Sequence, residues 1–266
     1  MPFTNFPRAS TFHKSSSRFD TRIVGQPTEW FPAPSKEYLD CTIVSLSESQ
    51  PLDTSLSDLV RNRYSCRRFS SLAIQASALS TILWAAYGVA QKTIYLDVEM
   101  LLRTVPSAGG LYPLEVYCLI YNVEGIEPGI YHYVPLYNAL ERIADLVPRD
   151  EAILSFLRQD AVMTSAAVLV VTAVSDRVME KYGERGYRFI LIEAGHLAQN
   201  ANLAAQASGL GSLNLGGFSD AELSEILSLD SEIEFPVYAI AIGVPATTTP
   251  ATSRFPPPTD LEKNPD

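Results

Sequence analysis

Four short segments carry residue types suited to chemistry. The stretch Arg61-Asn62-Arg63-Tyr64-Ser65-Cys66-Arg67-Arg68 puts four of the chain's 20 basic residues into eight positions. Guanidinium groups bind phosphate through paired hydrogen bonds and a serine hydroxyl adds another, so Arg63, Ser65 and Arg67 could form an anion pocket. The same cations would equally well offset the dipole at the end of a short helix. In Pro106-Ser107-Ala108-Gly109-Gly110-Leu111-Tyr112-Pro113, two glycines let the backbone approach a ligand closely, and free amides there could hold polar ring edges. A plain loop between a helix and a strand is the competing reading, and without Gly-Lys-Ser/Thr the segment is no P-loop.

The third segment is Gly209-Leu210-Gly211 with Leu215-Gly216-Gly217-Phe218. These glycines follow a helical pattern rather than a strand, the wrong context for a dinucleotide fingerprint, although a glycine turn against a flat cofactor stays open. The fourth is Lys181-Tyr182. A phenol with a pKa of about 10 is a poor base at neutral pH unless a cation lowers it, and either residue could then move a proton. Neighbours in sequence do not face each other on a helix, so the pair needs irregular backbone, which Gly183 could supply.

The elements that must position these segments follow from the periodicity. Ser55–Tyr64 reads as a short helix. Leu79, Ile82, Leu83 and Ala86 fall at helical spacing with Gly88 as a C-terminal cap. Strands are expected around 117–121, bounded by Pro113 and Gly125, at 131–134, at 167–174 as a buried central strand, and at 237–244. The segment from Tyr187 to Ser208 is the longest helical pattern and is apolar on nearly every face, which predicts a central helix or one with a face in a subunit interface. Helices and strands mix without a βαβ rhythm, so the fold class is α+β. Residues 1–50, with Pro27, Pro32 and Pro34, read as an extended arm docked on a domain spanning 51–250, and residues 251–266 as a Pro-rich tail.

Composition narrows the function. The net charge of −10 opposes a nucleic-acid partner. Three isolated cysteines, Cys41, Cys66 and Cys118, suggest reduced thiols rather than a disulfide framework. His13, His132 and His196 lie far apart, which speaks against a metal site. The first twenty residues lack a signal-type apolar stretch, and no segment approaches the roughly 20 apolar residues of a membrane span, so a cytoplasmic protein is expected.

The four segments occur in the order and spacing of one family: the chain resembles the FMN-dependent nitroreductase superfamily, and within it the SagB-type azoline dehydrogenases. Arg63-x-Ser65-x-Arg67-x-Phe69 is similar to the family's flavin-phosphate loop, although Tyr64 stands where many members have another arginine. Pro106 to Pro113 resembles the loop beside the flavin, and Gly129-Ile130-Tyr131-His132-Tyr133 with Ala139-Leu140-Glu141 the hairpin of SagB-type members. Lys181-Tyr182, running into Glu193-Ala194-Gly195-His196-Leu197-Ala198-Gln199-Asn200, resembles the catalytic pair and the interface helix behind it.

The resemblance implies a nitroreductase-like fold with a central mixed sheet flanked by helices and a homodimer around a buried long helix. It implies FMN held by Arg63, Ser65, Arg67, Pro106, Ser107, Ala108, Gly109, Leu215, Gly216, Gly217 and Arg254, with Lys181 and Tyr182 as catalytic residues. The implied reaction is oxidation of a peptide thiazoline or oxazoline to the azole, with the peptide free or on a carrier protein and oxygen reoxidising the flavin. An NAD(P)H-dependent nitro- or quinone reductase and a non-catalytic assembly subunit of a peptide-modifying complex are the rivals.

Overall fold

The computed structural model describes residues 11, 12, 14–16, 35–95 and 98–246. The expected tail at 251–266, Arg254, His13 and residues 17–34 of the expected arm lie outside them.

Seven strands form one sheet in the order β1-β8-β7-β5-β9-β11-β10. They are β1 (Thr42–Ser45), β5 (Leu114–Ile120), β7 (Gly129–Val134), β8 (Ala139–Ala144), β9 (Ala167–Val174), β10 (Gly211–Leu215) and β11 (Glu234–Gly243). Residues 42–45, within the stretch expected to be an arm, thus supply an edge strand. Two smaller sheets pair β2 (Ile74–Gln75) with β6 (Val123–Glu124) and β3 (Val89–Tyr95) with β4 (Val98–Arg103).

Every pairing in the large sheet is antiparallel, which corrects the expected mixed sheet. Among the described residues only the two-residue β2–β6 pair is parallel. The nearly continuous apolar run at 167–174, interrupted only by Thr172, has another cause: both faces of the sheet are covered there, so alternate residues have no solvent side to face. On one face Leu114, Val116, Cys118 and Ile120 pack with α2 (Ala76–Tyr87) and α6 (Arg185–Ala207). On the other, Tyr117, Leu119, Val168 and Val170 meet Ala161 and Val162 of α4 (Ala161–Thr164) and Leu223 of α7 (Asp220–Ile226). Further helices are α1 (Leu56–Asn62), α3 (Arg149–Ser155) and α5 (Asp176–Tyr182). Pro236 is tolerated in β11 because β10 begins to pair only at Ala239, leaving that stretch without a neighbour on one side.

Local signals act where the sequence placed them. Ser55 caps α1, its hydroxyl accepting the Asp58 N–H at 3.1 Å. Gly88 closes α2 with its N–H on the Trp84 carbonyl, but with φ −67° rather than a left-handed turn. Its glycine is steric: a Cβ there would lie 2.4 Å from Trp84 Cδ1. The long helix α6 buries one face through Ile190, Ala194, Leu197 and Ala201, while Leu191 and Ile192 on the other are 43% and 55% exposed. Among the described residues no helix is long and apolar enough to cross a membrane.

Candidate active site

Lys181 and Tyr182 end α5, and Gly183 breaks the chain before α6 begins at Arg185. Gly183 has φ 55° and ψ −147°, a region open essentially to glycine, so the last turn of α5 splays instead of running on. Both side chains then reach the turn Ala108–Gly110. A Cβ built on Gly109 would sit 2.7 Å from Tyr182 Oη and 3.1 Å from Lys181 Nζ. With φ +67°, Gly109 is fixed as glycine by conformation as well as by space. Two of the four segments, 68 residues and more apart in the chain, therefore meet at one point. Tyr182 is braced edge-on by Phe189, with ring centroids 5.1 Å apart. Phe12 packs edge-on against Tyr187, and Ser16 accepts from Arg188 Nε at 2.6 Å, so N-terminal residues lie along the same turns of α6.

The electrostatics differ from the sequence expectation. Burial raises the Tyr182 phenol, and the expected lowering by Lys181 is not seen: Lys181 Nζ stands 5.6 Å over the phenol ring centroid.

Beneath the turn Ser107, expected at the cofactor, meets groups the sequence reading gave no role. Ser107 Oγ accepts the Tyr112 N–H at 2.9 Å, and Tyr112 Oη accepts the Arg103 N–H at 3.0 Å. Tyr87 Oη accepts the Leu114 N–H at 3.2 Å and donates to Glu193 Oε1 at 2.6 Å. Glu193 is 2% exposed, and its other oxygen has no hydrogen-bond partner among the described residues. Burial raises its pKa to about 7, against the pull of the Ser107 and Tyr87 hydroxyls and the Arg103 charge.

The phosphate-type segment sits elsewhere. Arg63 follows α1, whose Leu59 carbonyl accepts from Gln206 Nε2 at 3.2 Å near the C-terminal end of α6. The Cys66 N–H donates to the Ser212 carbonyl at 2.9 Å, so Ser65 and Arg67 flank the start of β10. Arg63, Arg67 and Arg68 are exposed, and among the described residues Arg63 and Arg68 have no ion-pair partner. Leu215 ends β10, buried opposite Ala239; Gly216 and Gly217 follow, and the Gly217 carbonyl accepts from Gln159 Nε2 at 2.8 Å. The Lys181–Tyr182 pair precedes the first residue of α6 and the Arg63 segment lies beside its last turn. A 23-residue helix spans about 35 Å, so one chain does not bring the two groups together.

Unpaired, exposed guanidiniums at 63–68 fit a phosphate group. The side-chain-free cradle at Gly109, with Pro106, Ser107 and Ala108 leading into it, fits the edge of a flat ring. Among the described residues no His, Cys, Asp and Glu cluster is arranged to hold a metal ion. Cys66 and Cys118 are buried, which raises both thiols, and Cys41 is half-buried.

The nitroreductase family model matches residues 60–244, from the last turn of α1 through β11. The chain belongs to the nitroreductase family. Among relatives of this nitroreductase, MJ1384 of Methanocaldococcus jannaschii, itself named for the nitroreductases, is 37% identical over 188 residues, covering 71% of this chain and 90% of that one. McbC of Escherichia coli, a microcin B17-processing protein, is 34% identical over 146 residues, covering 53% of this chain and 54% of McbC. The match thus spans about half the length of McbC. Among solved structures, a nitroreductase-fold protein of Anabaena variabilis superposes with a TM-score of 0.71 at 24% identity, covering 88% of this chain and 45% of that one. One from Desulfovibrio desulfuricans, solved in complex with FMN, gives 0.53 at 23% identity, covering 80% and 99%.

The nitroreductase also contains a buried ionic cluster that sequence reasoning missed: Glu115, His132, Glu141 and Arg177. Its signal was present, since Glu115 and His132 are charged or polar residues inside otherwise apolar strands.

Proposed function

We propose that this nitroreductase uses FMN to oxidise a thiazoline or oxazoline ring in a peptide to the thiazole or oxazole. The observation that carries this reading is the meeting of Lys181, Tyr182 and Gly109 at one point, which puts a proton-handling pair against the turn suited to a ring edge. The relation to McbC supports a peptide-processing role.

In this reading Arg63, Ser65, Arg67 and Arg254 hold the cofactor phosphate, while Pro106, Ser107, Ala108, Gly109, Leu215, Gly216 and Gly217 hold its ring and ribityl edges. FMN bound there would supply a two-electron acceptor for hydride, with oxygen as the terminal oxidant. Tyr182 accepts the azoline α-proton, and the Lys181 ammonium stabilises the resulting phenolate against the burial that opposes it. Loss of that proton and of the hydride from the adjacent carbon accounts for both hydrogens removed as the ring aromatises.

The two half-sites at opposite ends of α6 support a homodimer in which one subunit's Arg63 segment completes the other subunit's Gly109 turn. The exposed Leu191 and Ile192 on α6 suit that interface.

Anaerobic mixing of the purified yellow protein with a thiazoline-containing peptide tests the reading. Bleaching near 450 nm, recovery in air and a two-hydrogen mass loss from the peptide are expected. The kinship with MJ1384 favours a second reading, a nitro- or quinone reductase, and bleaching by NADPH alone would establish it instead. A chain that neither carries nor binds FMN would be an assembly subunit.

A further inference from the structure

The pair Lys181–Tyr182 stands on α5, a helix of seven residues, too short to be held by its own hydrogen bonds. What fixes it lies four residues earlier on the same helix face. Arg177 is buried; its Nη2 pairs with Glu115 Oε1 at 2.6 Å and its Nη1 donates to the Tyr112 carbonyl at 3.2 Å. Tyr112 closes the loop whose Gly109 faces the pair, and Glu115 belongs to the central strand β5. One guanidinium therefore ties the helix carrying the pair both to the sheet and to the end of the loop opposite.

Glu115 is itself immobilised. The Lys36 N–H donates to its Oε1 at 2.9 Å, and His132 Nε2 stands 3.0 Å from its Oε2. His132 Nδ1 stands 3.0 Å from Glu141 Oε2, so the imidazole is clamped between two carboxylates. Desolvating such a group of ions costs several kcal/mol each, and well-packed apolar residues would stabilise the fold as well or better. Stability alone does not account for placing them in the middle of a sheet. What the ions supply that apolar side chains would not is direction, since a two-point guanidinium contact fixes orientation as well as distance.

We propose that Arg177 and Glu115 are positioning residues: their buried pair sets the spacing between the Lys181–Tyr182 helix and the Gly109 loop, with His132 as the brace behind them. This rests on the reading of Lys181–Tyr182 as the catalytic pair. A positioning error of about 1 Å costs on the order of 100-fold in rate, so loss of the tether falls on turnover rather than on peptide binding.

The test uses the full flavin-loaded chain as R177M, R177K and E115Q. Amide hydrogen exchange is read first, because it needs no substrate. R177M and E115Q are expected to speed exchange at 107–113 and 177–184 together, by about tenfold, leaving β9 and the middle of α6 unchanged. Single-turnover bleaching by a synthetic peptide with one thiazoline is read second. The rate is expected to fall about 10- to 100-fold while the half-saturating peptide concentration stays within about twofold. R177K, which keeps the charge on Glu115 but loses the second contact to Tyr112, should recover part of the rate. Loosening of only one segment, of neither, or of the whole fold would overturn the proposal, as would a rate loss that disappears on cooling below the variant's unfolding range. If the wild-type flavin does not bleach with the peptide, the azoline reading falls while the exchange result still decides the tether.

Discussion

Tyr182 is assigned a task that its surroundings oppose, because burial raises the phenol and a base must lose its proton. In the proposed reaction Lys181 stabilises the phenolate once it forms, so Y182F and K181A should each lower single-turnover bleaching by at least about 100-fold, the lower end of what general acid–base groups contribute, with the flavin spectrum unchanged. A variant at either position with full activity would remove the assignment. G109A should be as damaging by a different route: its Cβ would press on Tyr182 Oη in a backbone conformation that alanine resists, displacing the pair. Glu193 gives a pH signature. Its folded pKa of about 7 lies above the ordinary carboxylate value of 4.5, so the folded chain keeps a proton that the unfolded chain has lost between those values. Its contribution to stability therefore declines as pH rises from 4.5 to 7, by roughly 3 kcal/mol, and urea midpoints of E193Q should lack that decline. Lys181, Tyr182 and Gly109 stood out in the sequence because each breaks a local rule: an amine and a phenol side by side before a glycine, and a double glycine ahead of a strand. Glu193 and Arg177 did not, since their roles depend on partners from 62 to 106 residues away that no local pattern reveals.

At the level of elements, α1, α2, α6 and the central strands followed from periodicity with ends displaced by a few residues, whereas the short helices α3, α4, α5 and α7, of four to seven residues each, carried too few turns to show a period. β1 did not, because a four-residue edge strand with mostly exposed side chains has no alternation to read. The direction of the sheet was also hidden, since strand pairing is a long-range choice and a strand covered on both faces looks the same in either sense. Helix α6 was readable as apolar all round, and the structure divides that pattern into a covered face and an open one. Placing charge on the open face, in L191D or I192D, should leave thermal unfolding of the single chain within about 1 kcal/mol of the parent, as for other surface changes. The same variants should shift the chain to a monomer in analytical ultracentrifugation and release FMN. A variant that stays dimeric would place the interface elsewhere.

Across the whole molecule, the proposed homodimer, with each site shared between the two ends of α6, has a testable arithmetic. R63A and Y182F should each be inactive alone. Mixed and refolded together, they form heterodimers in which one site carries both defects and the other neither, so about half the sites in each heterodimer recover. No recovery would mean that each chain serves its own site. The chain's net charge is −10, so exposed Arg63, Arg67 and Arg68 form a local cationic patch against an acidic background. FMN affinity should fall as salt screens it, and a Kd flat between 50 and 500 mM salt would argue against the patch as the phosphate seat.

The burial of the cysteines has a consequence for how such a protein ages. A flavoprotein that returns electrons to oxygen releases hydrogen peroxide beside its own side chains. Peroxide attacks thiolates, and burial holds Cys66 and Cys118 as thiols, with Cys66 further engaged with the Arg68 carbonyl. Methionine has no such protection by ionisation. Met100, whose Cε lies 2.8 Å from where a Cβ on Gly110 would be, stands beside the turn where peroxide would form. If the proposed flavin oxidation is correct, sulfoxide at Met100 should accumulate over many turnovers before any oxidised cysteine, and peptide mass mapping of the aged protein would show it.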